Sequence, residues 1–232
     1  MKGLGRIPSP QDDRDYQLAT LMAALPAPAP PRKTWHSDRV LDQQETSHCV
    51  GFAYAAWGIA QPVESPFTDR DAHAVYRRAK IIGGDPGGEY GSNLRDGAKA
   101  MVYRKCVQSY WFSKSVDEAA EFVANHGTVV LGIDWHAGMM KPNAAGLIVP
   151  TGEVVGGHAI LWRGVAGRFA LLRNSWGTDW GVGGDCKILL RDLETIFAHF
   201  GEACAMVQKP LPVSTSFFHD LFDWVKPRLA AA

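Results

Sequence analysis

No uninterrupted apolar run in the 232 residues approaches the roughly 18 to 20 that a membrane-crossing helix needs, so no membrane partner is expected. Charge of one sign is not in excess either. The 24 lysines and arginines face 24 aspartates and glutamates, and the formal net charge is zero. Composition therefore gives no case for nucleic acid. Arg77, Arg78 and Lys80 make one short basic cluster, read as a solvated helix face. Cysteine is scarce: Cys49, Cys106, Cys186 and Cys204 form no CxxC pair and no zinc spacing. Four are too few for a disulfide scaffold. Reduced thiols and a cytoplasmic location are expected. Near the start, Asp12, Asp13 and Asp15 follow Lys2 and Arg6 before any apolar stretch, so no export signal is read. The glycine-rich run GGDPGGEYG, residues 83–91, lacks the pattern of a phosphate loop. Asp134, His136 and Glu153 are only weakly suggestive of metal ligands. No metal or organic cofactor is expected.

What is present is an ordinary globular composition, 46% hydrophobic and 21% charged, long enough for one large domain or two lobes. Residues 1–34 read as an N-terminal extension, with LPAPAPP favouring polyproline II. Residues 35–210 read as the main domain. Residues 211–232 form an amphipathic tail, in which Phe217, Phe218, Leu221, Phe222 and Val225 fall at helical spacing and should pack on the domain. The run CVGFAYAAWGI (49–59) is apolar or small all round, which predicts a buried helix, with Ser47 as its N-cap. A second helix is expected from Ser65-Pro66 to Lys80, a third after Ser92 or Asn93, and a fourth from Ser115 or Asp117 to Gly127. Beyond Gly127, TVVLGID, GHAILWRGV and RFALLRNSW read as strands, the last two as a hairpin around Gly164 to Gly167. Helices first and strands second suggest α+β with two lobes and a cleft between them. Cys106, in a candidate strand, and Cys186 and Cys204 read as small buried hydrophobes.

Cys49 is different. In DQQETSHCVGFAY it sits in the first turn of the predicted helix, where the positive end of the dipole favours a thiolate. A thiol nucleophile needs a base, an orienter for that base, and donors for an oxyanion. His158 leads one strand of the predicted hairpin and Asn174 ends the other, so the amide of Asn174 could fix the imidazole while its second nitrogen faces Cys49. His48 is the rival base. Neighbours on a helix point about 100° apart, which turns it away from the thiol. His36, His73, His126, His136, His199 and His219 show no partner in the sequence.

These segments resemble the papain-like cysteine peptidases. DQQETSHCVGFAYA is similar to their glutamine-to-cysteine segment, GGHAILWRGV to their histidine strand and FALLRNSWGTDWG to their asparagine strand. The order Gln, Cys, His, Asn agrees, and the match spans about residues 35 to 207. IPSPQDDRDY and the lack of cysteine pairs resemble the bacterial and phage-type branch. The resemblance implies a two-lobed fold: a helical N-terminal lobe and an antiparallel β-barrel-like C-terminal lobe. It implies that Cys49 is the nucleophile, His158 the general base and acid, Asn174 the orienter and Gln43 the side-chain oxyanion donor. Trp176 would shield the Asn–His bond. Gly91 and Ser92 would pair with an extended substrate, while Gly132, Gly157 and Ala159 would lie at or near the main specificity pocket.

Several departures stand out. Val50 replaces the usual tryptophan after the nucleophile, and Thr46 stands where many relatives carry a disulfide cysteine. His158 follows Cys49 by 158 − 49 = 109 residues and Asn174 by 174 − 49 = 125, against the roughly 130 to 150 usual. Shorter loops follow. The expected activity is hydrolysis of protein or peptide substrates through a thiolate–imidazolium pair and an acyl-enzyme. The extension, far shorter than the usual inhibitory propeptide, would either strap across the cleft and inhibit or brace the lobes. Two other readings stand beside this one: a non-catalytic peptide-binding module, and an acyl transferase or peptide ligase using the same thioester chemistry.

Overall fold

The structure of the chain, a computed structural model, describes residues 2–13, 15–24, 32–88 and 90–208. The LPAPAPP run and the tail, with its His219, lie outside them. Helix α1 spans Leu18–Ala24 and a short strand β1 Arg32–Thr34. Helices α2 (Cys49–Ile59), α3 (Asp69–Ile82) and α4 (Leu94–Tyr103) follow. Then come β2 (Val107–Ser113), α5 (Val116–Asn125), β3 (Val129–His136), a 3₁₀ turn Ala137–Met139, β4 (Val154–Ala166) and β5 (Phe169–Arg173). Strand β6 (Asp185–Leu189), helix α6 (Leu190–Phe197) and β7 (Glu202–Gln208) close the order. This is the α+β arrangement expected from sequence.

All eleven residues of α2 are buried, as its all-round apolar surface requires. It can sit so deep because its neighbours come close. A Cβ added at Gly97 of α4 would stand 2.3 Å from the Tyr54 ring and 2.7 Å from Val50 Cγ1. Val50 therefore fills, with a glycine opposite, the space behind α2. The caps of α4 and α5 are Asn93 and Ser115, each accepting the backbone N–H three residues on. The second helix starts later than Ser65-Pro66. Thr68 and Asp71 form a capping box that fixes its first turn at Asp69.

The strands form one antiparallel sheet in the order β2-β7-β3-β4-β5-β6, with β1 paired to β4. The sheet stays open, with β2 and β6 at its edges, rather than closing into a barrel. Strand alternation gives each face its own core. Val130, Ala159 and Leu161 join the core built around α2, α3 and α4. Leu131, Ile133, Ile160 and Trp162 join a second core with α5 and α6. Leu18 of α1 is fully buried in that second core. Cys186 and Cys204 are buried as expected, whereas Cys106 lies in the turn before β2 and is half-exposed.

Candidate active site

Helix α2 runs its N-terminus against β4, and this puts Cys49 beside the backbone amide of Ala159, the residue after His158. Ser47 does not cap the helix. Its hydroxyl accepts from the Gly91 N–H at 3.3 Å instead, and His48 takes the N-cap position with no side-chain bond to the helix. The first amides of α2 thus keep their donors free of a capping side chain.

The tautomer of His158 follows from its neighbours. Asn174 Oδ1 accepts the Ser175 N–H at 2.8 Å, which fixes that atom as the oxygen. The same oxygen lies 2.8 Å from His158 Nε2. An oxygen can only accept there, so Nε2 carries the proton. Nδ1 of His158 is then the bare nitrogen, buried and without a hydrogen-bond partner. The ring packs against two indoles, Trp135 and Trp176, each with its centroid 4.8 Å away, which also touch one another at 5.4 Å. Trp176 is fully buried and Trp180 packs edge-on against it, so water is kept from the His158–Asn174 bond.

Gln43 is fixed in the same way. Its Oε1 accepts from Ser175 Oγ at 2.7 Å, and its Nε2 faces two carbonyls, Thr46 at 2.7 Å and Gly3 at 3.1 Å. Ser175 thus bridges the Gln43 and Asn174 amides. The Gly91 wall is held from α3: Tyr76 Oη and Lys80 Nζ both donate to the Gly91 carbonyl, at 3.2 and 3.0 Å. Lys80 is buried, not part of a solvated face, because it serves this loop. His48 turns away from Cys49. It stacks on Tyr76 with centroids 3.8 Å apart and meets His73, Nδ1 to Nδ1, at 2.7 Å. Burial, then His73 and Arg77, push its pKa down to about 4.

The cleft is filled by the chain's own N-terminus. Gly5 N–H and Arg6 N–H donate to the Gly157 carbonyl at 3.0 and 2.9 Å. Ser92 N–H donates to the Gly5 carbonyl and Ile7 N–H to the Ser92 carbonyl, both at 2.9 Å, so the bridge between Arg6 and Ser92 is parallel. Gly3 N–H reaches the Gln44 carbonyl at 3.1 Å, and the Trp176 indole N–H donates to the Gly3 carbonyl at 3.1 Å. The fit is tight: a Cβ at Gly3 would stand 2.0 Å from the Thr46 carbonyl oxygen, and one at Gly5 2.2 Å from that of Ser47. A Cβ at Gly91 would stand 2.3 Å from the Gly5 carbonyl oxygen. At Gly132, which pairs with Ala159 in the sheet, a Cβ would stand 2.9 Å from Arg6 Nε. So Gly91, Ser92, Gly132, Gly157 and Trp176 all gather around residues 3 to 7, with Ala159 beside Gly132.

Under this strap the Cys49 thiol and the His158 imidazole are both desolvated. Burial pushes the Cys49 thiol up to about 12, even though the Ala159 and Val50 amides and the Arg6 guanidinium pull it the other way. Burial pushes His158 down to about 4, against the supporting bond from Asn174. Burial thus favours the neutral form of each group, the thiol at Cys49 and the imidazole at His158. The helix dipole is outweighed because water is excluded from both groups.

Sequence reasoning missed Trp135, Ser175 and the strap's course. Among the described residues no cluster of three metal-binding side chains occurs, and no helix is long and apolar enough to cross a membrane.

No family model and no curated protein sequence matches the chain. Solved structures do. Xylellain, a cysteine protease from Xylella fastidiosa, superposes with a TM-score of 0.70 at 19% identity, covering 88% of this chain and 96% of that one. Digestive procathepsin L2 proteinase from the larval midgut of Tenebrio molitor gives 0.60 at 18% identity over 89% and 78%. Procathepsin B S9 from Trypanosoma congolense gives 0.62 at 12% identity over 89% and 87%. The chain has the papain-like fold.

Proposed function

We propose that the protein is a cysteine peptidase held in a closed state by residues 2–7. The observation that carries this reading is the assigned tautomer of His158: Nε2–H to Asn174, and a bare, buried, unpartnered Nδ1. A buried nitrogen without a partner costs stability, a cost that a catalytic task explains. Here the task is to take the Cys49 proton. Once the cleft opens, water stabilises the thiolate and imidazolium. Cys49 Sγ attacks a peptide carbonyl carbon, and the carbonyl π electrons move onto oxygen. Gln43 Nε2 and the Cys49 N–H hold that oxyanion. The C–N bond breaks as His158 gives its proton to the leaving amine. Water, deprotonated by His158, then attacks the thioester and returns the thiol. Trp176 and Trp135 keep the imidazole dry and oriented.

The strap supports a closed resting state because it competes for the same atoms. The Gly3 carbonyl takes a proton of Gln43 Nε2, and Gly5 and Arg6 occupy the Gly157 carbonyl. Its direction protects it from cleavage. Where a substrate's acyl half pairs with Gly91 and Ser92, its scissile carbonyl follows the residue in the pocket. In the strap, Gly3 precedes Arg6, so the chain lies the other way round.

Intact-mass spectrometry after an epoxysuccinyl thiol-peptidase inhibitor tests both parts. One adduct on wild type or on Gly3→Ala, absent in Cys49→Ala, is expected. No adduct on either would leave a cleft that binds without reacting, the runner-up reading. Added amines in a turnover assay separate hydrolysis from acyl transfer.

A further inference from the structure

Glu202 opens β7 inside an otherwise apolar run, GEACAMV, and pairs in the sheet directly with Gly132. It is 1% exposed. The hydrogen bonds to its carboxylate come from the N-terminal segment: Arg6 Nη2 of the strap at 2.9 Å and the Ser9 N–H just beyond it at 3.1 Å. The Arg6 and Glu202 side chains are 0% and 2% exposed, so this is a fully desolvated ion pair. Arg6 reaches Glu202 by passing over Gly132, where the absence of a Cβ leaves room for its Nε. Leu94 lines the other side. When the strap leaves, the buried carboxylate loses the guanidinium bonded to it, in a pocket that it shares with Arg95 and Lys114. A buried carboxylate in that position demands a cation.

We propose that Glu202 is the specificity-determining residue of the cleft and that the pocket over Gly132 selects an arginine or lysine side chain of the substrate, Arg6 being its stand-in. The proposal rests on the peptidase reading of the site. Lysine belongs in it because Arg6 satisfies the pocket incompletely: its Nε and Nη1 are buried without partners. A compact ammonium brings no fixed fork of extra donors and meets the same carboxylate as a point charge. A neutral or acidic side chain leaves Glu202 unpaired and is rejected.

The test uses the full chain carrying Arg6→Ala, which empties the pocket. In the Cys49→Ala background, binding of capped alanine peptides bearing a single Arg, Lys, Leu or Glu is measured by calorimetry. The Arg and Lys peptides should bind about 10- to 100-fold tighter than the Leu peptide, and the Glu peptide weakest. Glu202→Gln should erase the basic preference. Gly132→Ala should weaken the Arg peptide most, and this second variant keeps the test sharp if Glu202→Gln does not fold. Equal or tighter binding of Leu, or no binding of any peptide, would overturn the proposal and leave Glu202 as an anchor for the strap only. With Cys49 intact, cleavage sites mapped on a denatured protein should show basic residues at one fixed position on the acyl side. Cys49-dependent cleavage without that enrichment sinks the pocket assignment and spares the peptidase. Absence of both cleavage and Cys49 labelling sinks the peptidase, while the binding series still decides the pocket.

Discussion

Replacing Gly3 with alanine should open the cleft. The added Cβ would lie 2.0 Å from the Thr46 carbonyl oxygen and 2.9 Å from the Glu45 carbonyl carbon. Both are backbone atoms, so the strap rather than its wall must move. Moving it breaks three hydrogen bonds of Gly3: N–H to Gln44, and the carbonyl's bonds from Gln43 and Trp176. At about 1 kcal/mol net for each, the closed state loses about 3 kcal/mol. That raises the open fraction about 100-fold, as long as the wild type is mostly closed. Iodoacetamide alkylation read by peptide mass spectrometry measures it. Cys106, half-exposed and far along the chain, serves as the internal standard. The Cys49-to-Cys106 labelling ratio should rise by up to that factor, and peptide hydrolysis should rise with it. The melting temperature should fall as well, by up to about 10 °C, because the closed chain loses the same free energy relative to the unfolded one. A Cys49 that alkylates as readily as Cys106 in wild type would refute the reasoning. So would an unchanged ratio in a folded Gly3→Ala.

In the Gly3→Ala background, His158→Ala should lower kcat by about 10²- to 10⁴-fold and Gln43→Ala by about 10²- to 10³-fold, measured by peptide turnover. Burial holds folded His158 down to about 4 against an ordinary 6.5, so the unfolded chain binds the proton better. Stability is therefore complete above about pH 6.5 and drains away as pH falls toward about 4; melting temperatures across that window should show the drop, and His158→Gln should flatten part of it. At the other end Cys49, held up to about 12 from 9.0, favours the fold below pH 9 and loses that contribution as pH rises toward 12. Gly97→Val forces an isopropyl group, three added carbons, against Tyr54 and Val50 and should cost about 1 to 3 kcal/mol or more in denaturant melts.

The candidate site was legible where chemistry dictates residue type. Gln43, Cys49, His158 and Asn174 are far apart in sequence; helix and strand patterns pointed to Cys49, His158 and Asn174, while Gln43 came from the family resemblance, and the structure links Gln43 to Asn174 and His158 through Ser175. The helix at Cys49 needed only its apolar run. The hairpin needed only Gly167 between two β-branched, aromatic stretches. The N-cap was misread because Ser47 had a competing use, the Gly91 N–H, that no local rule reveals. Lys80 was misread for a similar reason: a lysine among arginines looks solvated until the carbonyl it serves is placed beside it. Ser175 carried no signal, since its role is to join two side-chain amides across 132 residues. The strap was the largest gap. Its backbone bonds to Gly157 and Ser92 depend on a register that alternation cannot supply. The hints were small: Gly3 and Gly5 spaced by two, and a single arginine next to them. Glu202 had a clearer hint, one charge inside an apolar strand.

In the proposed reading, inhibition and selection use the same atoms of the cleft. Gln43 Nε2, the Gly157 carbonyl, the Ser92 N–H and the Glu202 carboxylate each bind the strap now, and each would bind substrate or oxyanion in turnover. A substitution in the wall therefore weakens both sides of the competition. Gln43→Ala loosens the strap and also removes an oxyanion donor, so a gain in open fraction is cancelled by a loss in rate. Glu202→Gln loosens Arg6 and also loses the cation of the substrate. Only changes on the strap, at Gly3, Gly5 or Arg6, shift the closed equilibrium without touching the machinery. The prediction is an asymmetry: strap variants raise labelling and turnover together, while wall variants raise labelling and lower turnover. If wall and strap variants moved turnover in the same direction, residues 2–7 would be a brace for the lobes and not a competitor for the site.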